Sequence, residues 1–194
     1  MAIRCAQVGI VAALLLSACG GQDAIGISVG EEKFTVPREH VLPSRVDWLP
    51  EFGEFDGFVF TARPTAPLGE QFAVTVESRT ARCAPDNVAS SELVAFACTE
   101  TTGTSTDVSE LQRDLVYPDV ESFWNYTVQT GDGSRRLPIA SCYAAESIES
   151  GGICSALGQY SSLIYSFSFK DGDIGSMDER RAEIEALPGA WDVK

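Results

Sequence analysis

A lone histidine and a serine set between two glycines are the residues best suited to hydrolytic chemistry. Residues 26–30 read Gly-Ile-Ser-Val-Gly and fit the Gly-x-Ser-x-Gly nucleophile motif letter for letter. That motif must follow a core strand and begin a helix, with the acid and the base later in the chain. Here a strand-like run follows it. His40 is the only histidine and would be the base of any triad, but the sequence offers it no identifiable partner. We therefore expect a binding protein and no enzyme.

Acidic residues raise the question of a metal site. Residues 171–175 read Asp-Gly-Asp-Ile-Gly, which resembles the start of a calcium-binding loop. Counted from Asp171, the sixth position is Ser176 where an EF-hand needs glycine, and the twelfth is Ala182 where it needs glutamate. The segment is therefore interpreted as a turn between a strand and a helix. Paired carboxylates such as Glu31 and Glu32 are expected on a solvated face in a chain with 28 acidic residues, so no metal or cofactor is expected.

The N-terminus carries a targeting pattern. Residues 1–4 include one positive charge, and residues 6–16 form an uncharged apolar run. Such a run is far shorter than the roughly 20 residues needed to span a bilayer, and it is typical of a signal peptide. We assign residues 1–18 to that signal. Cys5 lies within it and would be discarded.

Leu16-Ser17-Ala18-Cys19, followed by two glycines, resembles the lipobox of bacterial lipoproteins. The resemblance implies cleavage before Cys19, a diacylglycerol on its thiol and a fatty acyl chain such as palmitate on its new amine. Two or more acyl chains anchor a protein firmly. No Asp follows Cys19, which resembles the signal for sorting to the outer membrane. The alternative is an ordinary secretory signal that happens to contain a cysteine.

Four further cysteines predict two disulfides, because an even number in an exported protein indicates pairing. Three connectivities are open. We favour Cys83–Cys98 and Cys142–Cys154, since the members of each pair are close in sequence and are flanked by strand-like or turn-like segments. A zinc site of four cysteines is the alternative, but neither pair has the short spacing that such sites show.

Charge narrows the class of partner. The chain of 194 residues has 14 Lys and Arg against 28 Asp and Glu, a net charge of −14. Removal of residues 1–18 takes away Arg4 alone, which leaves −15. Nucleic acid is excluded as a partner, because phosphate contacts need a basic patch. An acidic surface steers association with a basic protein partner.

The remaining pattern predicts one α+β domain over residues 33–194, preceded by a flexible Gly-rich tether over residues 19–32. A mainly antiparallel β-sheet with a C-terminal α-helix packed on it is expected. The helix begins after Ser176, with Glu179 completing a capping box, and ends at Pro188. Residues 90–98 fit a helix or a strand. Alternating or β-rich runs predict strands at 33–36, 57–61, 72–76, 124–128, 137–143 and 162–170.

Three segments together resemble small proteobacterial envelope lipoproteins, including immunity proteins of type VI secretion phospholipase effectors. They are residues 33–42 (Lys-Phe-Thr-Val-Pro-Arg-Glu-His-Val-Leu), residues 82–85 (Arg-Cys-Ala-Pro), and residues 165–169 (Tyr-Ser-Phe-Ser-Phe), which lead into the helix containing Ile184. The resemblance implies a lipid-anchored periplasmic protein that neutralises a lipase by direct binding. The resemblance identifies no catalytic residue and no interface residue in this chain. The alternative is an envelope structural or assembly lipoprotein that binds another envelope protein.

Tryptophans could anchor such an interface if they were exposed. Trp48, Trp124 and Trp191 are the three in the chain. We expect them mainly in the core.

Overall fold

The computed structural model describes residues 24–42, 56–99, 111–129, 133–145 and 151–191. The signal peptide, Cys19 and Trp48 lie outside these residues.

The first element is an antiparallel hairpin of strand β1 (Ala24–Val29) and strand β2 (Glu32–Pro37). Gly30, in the turn, has a φ of 56°, a conformation that glycine adopts without steric cost. Val29 and Phe34 are buried in the main core. The predicted tether was therefore too long: residues 24–32 belong to the domain. Gly30 allows the turn, while Ile27 and Val29 supply the apolar face that packs on the core.

Seven strands form one antiparallel sheet with the order β3-β4-β9-β8-β7-β6-β5. The last strand of the chain, β9, is an interior strand that lies between β4 and β8. The predicted antiparallel sheet is confirmed. The strands are β3 Gly57–Ala62, β4 Phe72–Ser78, β5 Gln112–Tyr117, β6 Val120–Gln129, β7 Arg136–Ala144, β8 Gly152–Tyr160 and β9 Leu163–Lys170.

Strand β9 shows why the sheet has two different faces. Leu163, Tyr165, Phe167 and Phe169 alternate along it, and all four are buried. Successive side chains of a strand point to opposite faces, so this set forms one side of the main core. The predicted one-sided burial of this strand is confirmed.

The opposite face is covered in part by three short helices, α1 (Arg79–Arg82), α2 (Pro85–Ser90) and α3 (Glu92–Thr99). They pack over a smaller cluster in which apolar residues of α3 meet Leu157 and Ile164 of the sheet. The segment 90–98, which fitted a helix or a strand, is therefore mostly helical.

The C-terminal helix, α4 (Met177–Trp191), packs on the main core, as predicted. Its buried residues Met177, Ile184 and Trp191 recur every seven residues and so share one face. The predicted end at Pro188 was wrong. The ring of Trp191 packs edge-on against Phe60, with centroids 5.0 Å apart. Burial of a large side chain is worth about 2–3 kcal/mol, which offsets the roughly 3 kcal/mol cost of an internal proline.

The start of α4 also differs from the predicted capping box. The Ser176 hydroxyl donates to the Asp173 carbonyl and accepts from Arg180 Nε. The Glu179 carboxylate lies 4.0 Å from the Arg63 guanidinium. Ser176 therefore bonds within its own turn and to α4, and Glu179 lies near the residue that follows β3. Within the described ranges, no helix has the length and apolarity needed to cross a bilayer.

Candidate protein-binding surface

Both predicted disulfides are present. Cys83–Cys98 joins the end of α1 to α3 and closes a separation of 15 residues. Cys142–Cys154 joins directly opposed positions of β7 and β8. Cross-links over loops of this length stabilise a fold by about 3 kcal/mol each through the unfolded state. The first bond ties α1 to α3, and the second ties two neighbouring strands of the sheet to each other.

The second disulfide lies beside the turn that had resembled a calcium loop. Residues Asp171–Ser176 form a 3-10 turn between β9 and α4, as predicted. Tyr126 donates a 2.8 Å hydrogen bond to the Asp171 carboxylate. Burial, reinforced by that bond, raises the pKa of Tyr126 to about 12. Cys142, Cys154 and Asp171 bring potential metal ligands within 4.8 Å of one another, but the disulfide leaves neither sulfur as a thiolate. The cluster is therefore structural.

The candidate hydrolytic residues are held in structural contacts. Ser28 is an exposed residue of β1, which runs into a hairpin turn and lacks the strand-to-helix elbow. His40 ends a single 3-10 turn, and its Nδ1 lies 2.8 Å from the Thr61 carbonyl oxygen. Its ring packs edge-on against Trp191, with centroids 4.9 Å apart. His40 therefore joins the segment after β2 to strand β3 and helix α4.

Exposed apolar side chains gather at one end of the sheet. Nine large apolar side chains of the described residues are exposed, and six of these belong to strands β5, β6 and β7. Single exposed apolar residues are ordinary, whereas a group of them marks an interaction site. We name this group the β5–β7 surface, although by strand register Leu115 shares a face with Trp124 while Phe123 lies on the other face; its members are Leu115, Val116, Tyr117, Val120, Phe123 and Tyr143.

Strand register makes part of this surface continuous. Phe123 lies directly opposite Tyr143, and Tyr143 lies directly opposite Ile153. Directly opposed side chains on one face have Cβ atoms about 4.5–5.5 Å apart. Phe123 is 47% exposed and Tyr143 is 45% exposed. An apolar row therefore crosses three strands on the face opposite the main core.

The strands that carry this row are packed on the main core and cross-linked by a disulfide. Trp124, next to Phe123 in β6, is 1% exposed and lies opposite Cys142 of the disulfide. Exposed rings on a supported sheet are already in position to bind, so little conformational entropy is lost when a partner docks.

The tip of the β5–β6 hairpin adds negative charge. Tyr117 and Val120 face each other across the turn, and Asp119 and Glu121 are exposed beside them. Residues 117–123 contain no Lys or Arg. The surface is therefore apolar with an acidic border, which suits a partner that presents apolar residues among basic ones.

None of these six residues was singled out from the sequence. The tryptophans were the interface candidates, and the two that are described, Trp124 and Trp191, are buried as expected. The alternation of β6 carried a usable signal: with Trp124 directed into the core, Phe123 must face outwards.

No protein-family model matches this chain, and no curated protein matches it.

Proposed function

We propose that this protein is a lipid-anchored periplasmic binding protein, and that it is an immunity protein neutralising a type VI secretion lipase effector by direct contact. The β5–β7 surface is the observation that carries the proposal. It presents two supported aromatic rings, and aromatic residues are enriched among the side chains that dominate binding energy.

Charge supports the same function. The chain carries −14 overall, and the tip of the β5–β6 hairpin has exposed carboxylates beside apolar side chains. Complementary charge raises association rates well above those of neutral surfaces. Rapid capture matters for an inhibitor, because each toxin molecule must be bound before it acts on the membrane.

The proposed anchor would hold the domain close to the bilayer. Strand β1 begins at Ala24, five residues after Cys19. A fully extended chain covers at most about 3.6 Å per residue, so this link spans no more than roughly 18 Å. A lipase that attacks the same membrane would therefore meet its inhibitor at the surface where it works.

Replacement of Cys19 by serine should abolish lipidation and release the protein from the membrane. A single thiol carries the proposed diacylglycerol, so we expect nearly all of the protein to move from the membrane pellet to the soluble periplasmic fraction. Cys5→Ser is the matched control, because that cysteine lies in the discarded signal and its loss should leave the protein in the pellet. Equal fractionation of the two variants would contradict lipidation at Cys19.

Protection from a toxin tests the immunity function. We expect a lipase effector gene next to this one, and we expect cells lacking this gene to be killed when that effector is delivered. Restoring this gene alone should return survival to the wild-type level. Unimpaired survival of the deletion strain would exclude the immunity function.

A second candidate function is an envelope structural or assembly lipoprotein with a resident protein partner. The short link between Cys19 and Ala24 favours it, because a domain held within roughly 18 Å of the bilayer can stay in contact with a membrane-embedded partner. An envelope defect on deletion, without a toxin gene beside this one, would favour this function over immunity.

A further inference from the structure

Strand β5 forms one edge of the sheet. In the strand order it pairs only with β6, whereas the opposite edge strand, β3, is bridged through Phe60 to Val41. No strand among the described residues lies beyond β5. An edge strand presents backbone N–H and C=O groups that can pair with another chain.

The charges of β5 are directed back into its own sheet. The Arg113 guanidinium lies over the Trp124 ring, 4.0 Å from its centroid. The Asp114 carboxylate accepts a 2.5 Å hydrogen bond from Thr127 and lies 3.6 Å from Arg136 Nε. Outward charges commonly protect an edge from pairing. Here both are committed to neighbouring strands, and the exposed side chains that follow in β5 are apolar: Leu115, Val116 and Tyr117.

We propose that β5 binds the partner by strand addition, and that the added strand alternates basic and apolar residues. This inference rests on the proposed binding function and specifies how the partner is held. Main-chain hydrogen bonds to the edge would supply affinity, and the alternate side chains of the added strand would supply specificity.

Charge identifies the occupant as a basic segment of another protein. Asp119 and Glu121 are exposed at the end of the β5–β6 hairpin, where they can meet lysine or arginine side chains. A second copy of this chain would bring another net −14 to the same edge. Like charges brought together at an interface are unfavourable, so self-pairing is disfavoured.

Hydrogen exchange of the full-length protein in detergent micelles tests this inference. The probe is a short capped peptide that alternates lysine with valine, and its control replaces each lysine with glutamate. We expect the lysine peptide to slow amide exchange in β5 by about tenfold or more, a difference of roughly 1.4 kcal/mol in opening. Amides of β3 serve as the internal control, since that edge should not change.

Two variants of Val116 separate the backbone from the side chain. The register pairs Leu115 with Trp124 and then Tyr117 with Val120, so Val116 has no paired position in β6. Val116→Pro removes an N–H and is compatible with an edge strand at a bulge; it should weaken peptide binding about tenfold or more. Val116→Thr keeps the N–H and should bind nearly as the parent does.

Three results would overturn strand addition: unchanged exchange in β5, equal protection by the glutamate peptide, or equal binding by the proline and threonine variants. Protection that rises with protein concentration without peptide would identify a second copy as the occupant and overturn the assignment of a basic segment of another protein. If β5 is not protected but the gene still saves cells from the toxin, strand addition fails and immunity stands. If the peptide slows amide exchange in β5 but the gene does not save cells from the toxin, immunity fails and strand addition stands.

Discussion

Replacing Gly158 with alanine should destabilise the domain by about 3 kcal/mol, because the central sheet has no room for a side chain there. A Cβ at this position would overlap the ring and hydroxyl of Tyr165. The two residues are directly paired between β8 and β9. Overlap of this kind forces either the ring or the strand to move. A loss of this size is a large part of the 5–15 kcal/mol that stabilises a typical domain.

The Tyr165 ring is held at both ends and cannot move at low cost. It is 2% exposed, and its hydroxyl donates a 2.5 Å hydrogen bond to Glu185 of α4. Burial, reinforced by this bond, raises the pKa of Tyr165, so the hydroxyl stays protonated and remains a donor at physiological pH. Displacing the ring would therefore also break a buried link between the sheet and the helix.

Gly26→Ala is the matched control, because Gly26 also lies in a strand but has open space where its Cβ would be. Urea denaturation with the disulfides intact should give Gly26→Ala a midpoint near that of the parent and Gly158→Ala a clearly lower one. Tyr165→Leu should be destabilising by itself. Adding Gly158→Ala to it should then cost less than in the parent, since neighbouring changes are coupled. Equal midpoints for the two glycine variants would contradict the packing argument.

The same contact explains which strands could be predicted from the sequence. Strand β9 alternates aromatic and small polar residues, and this local pattern alone predicts it. Strand β8 is rich in glycine, alanine and serine, which have little strand preference of their own. Its small residues match the large ones of β9, with Gly158 opposite Tyr165 and Ala156 opposite Phe167. That match exists only once the strands are paired, so the local pattern of β8 did not reveal it.

The disulfides were easier to predict than the exposed side chains, because exposure depends on which elements cover each face of the sheet. Sequence proximity favoured the pairing of Cys83 with Cys98 among three open connectivities, and the structure contains that bond. The exposure of Phe123 could not be predicted in that way, because α3 covers one part of the same sheet face and not another. The end of α4 was also missed, since the Pro188 stop signal is local and the docking of Trp191 is tertiary.

Aspartate at both Phe123 and Tyr143 should abolish toxin neutralisation while leaving the domain folded. The two rings lie opposite each other on the exposed row. Truncating an aromatic anchor at the centre of an interface commonly costs 2 kcal/mol or more, and a buried unpaired charge adds a desolvation penalty. Together the two changes should weaken binding by more than about a thousandfold, corresponding to roughly 4 kcal/mol. Each ring is nearly half exposed in the free protein, so the free energy of unfolding should fall by far less than the free energy of binding.

Leu68→Asp is the matched control for this double variant, since Leu68 is 88% exposed and lies between β3 and β4, outside the β5–β7 surface. Survival of cells challenged with the toxin should fall to the deletion level with the double variant and stay at the parent level with Leu68→Asp. Thermal unfolding of both should remain close to that of the parent. Phe123→Ser and Tyr143→Ser together add no charge. This double variant should also lose protection if the contact area of the two rings is what binds the toxin. Full protection by the aspartate and serine variants alike would show that the toxin binds elsewhere on the protein.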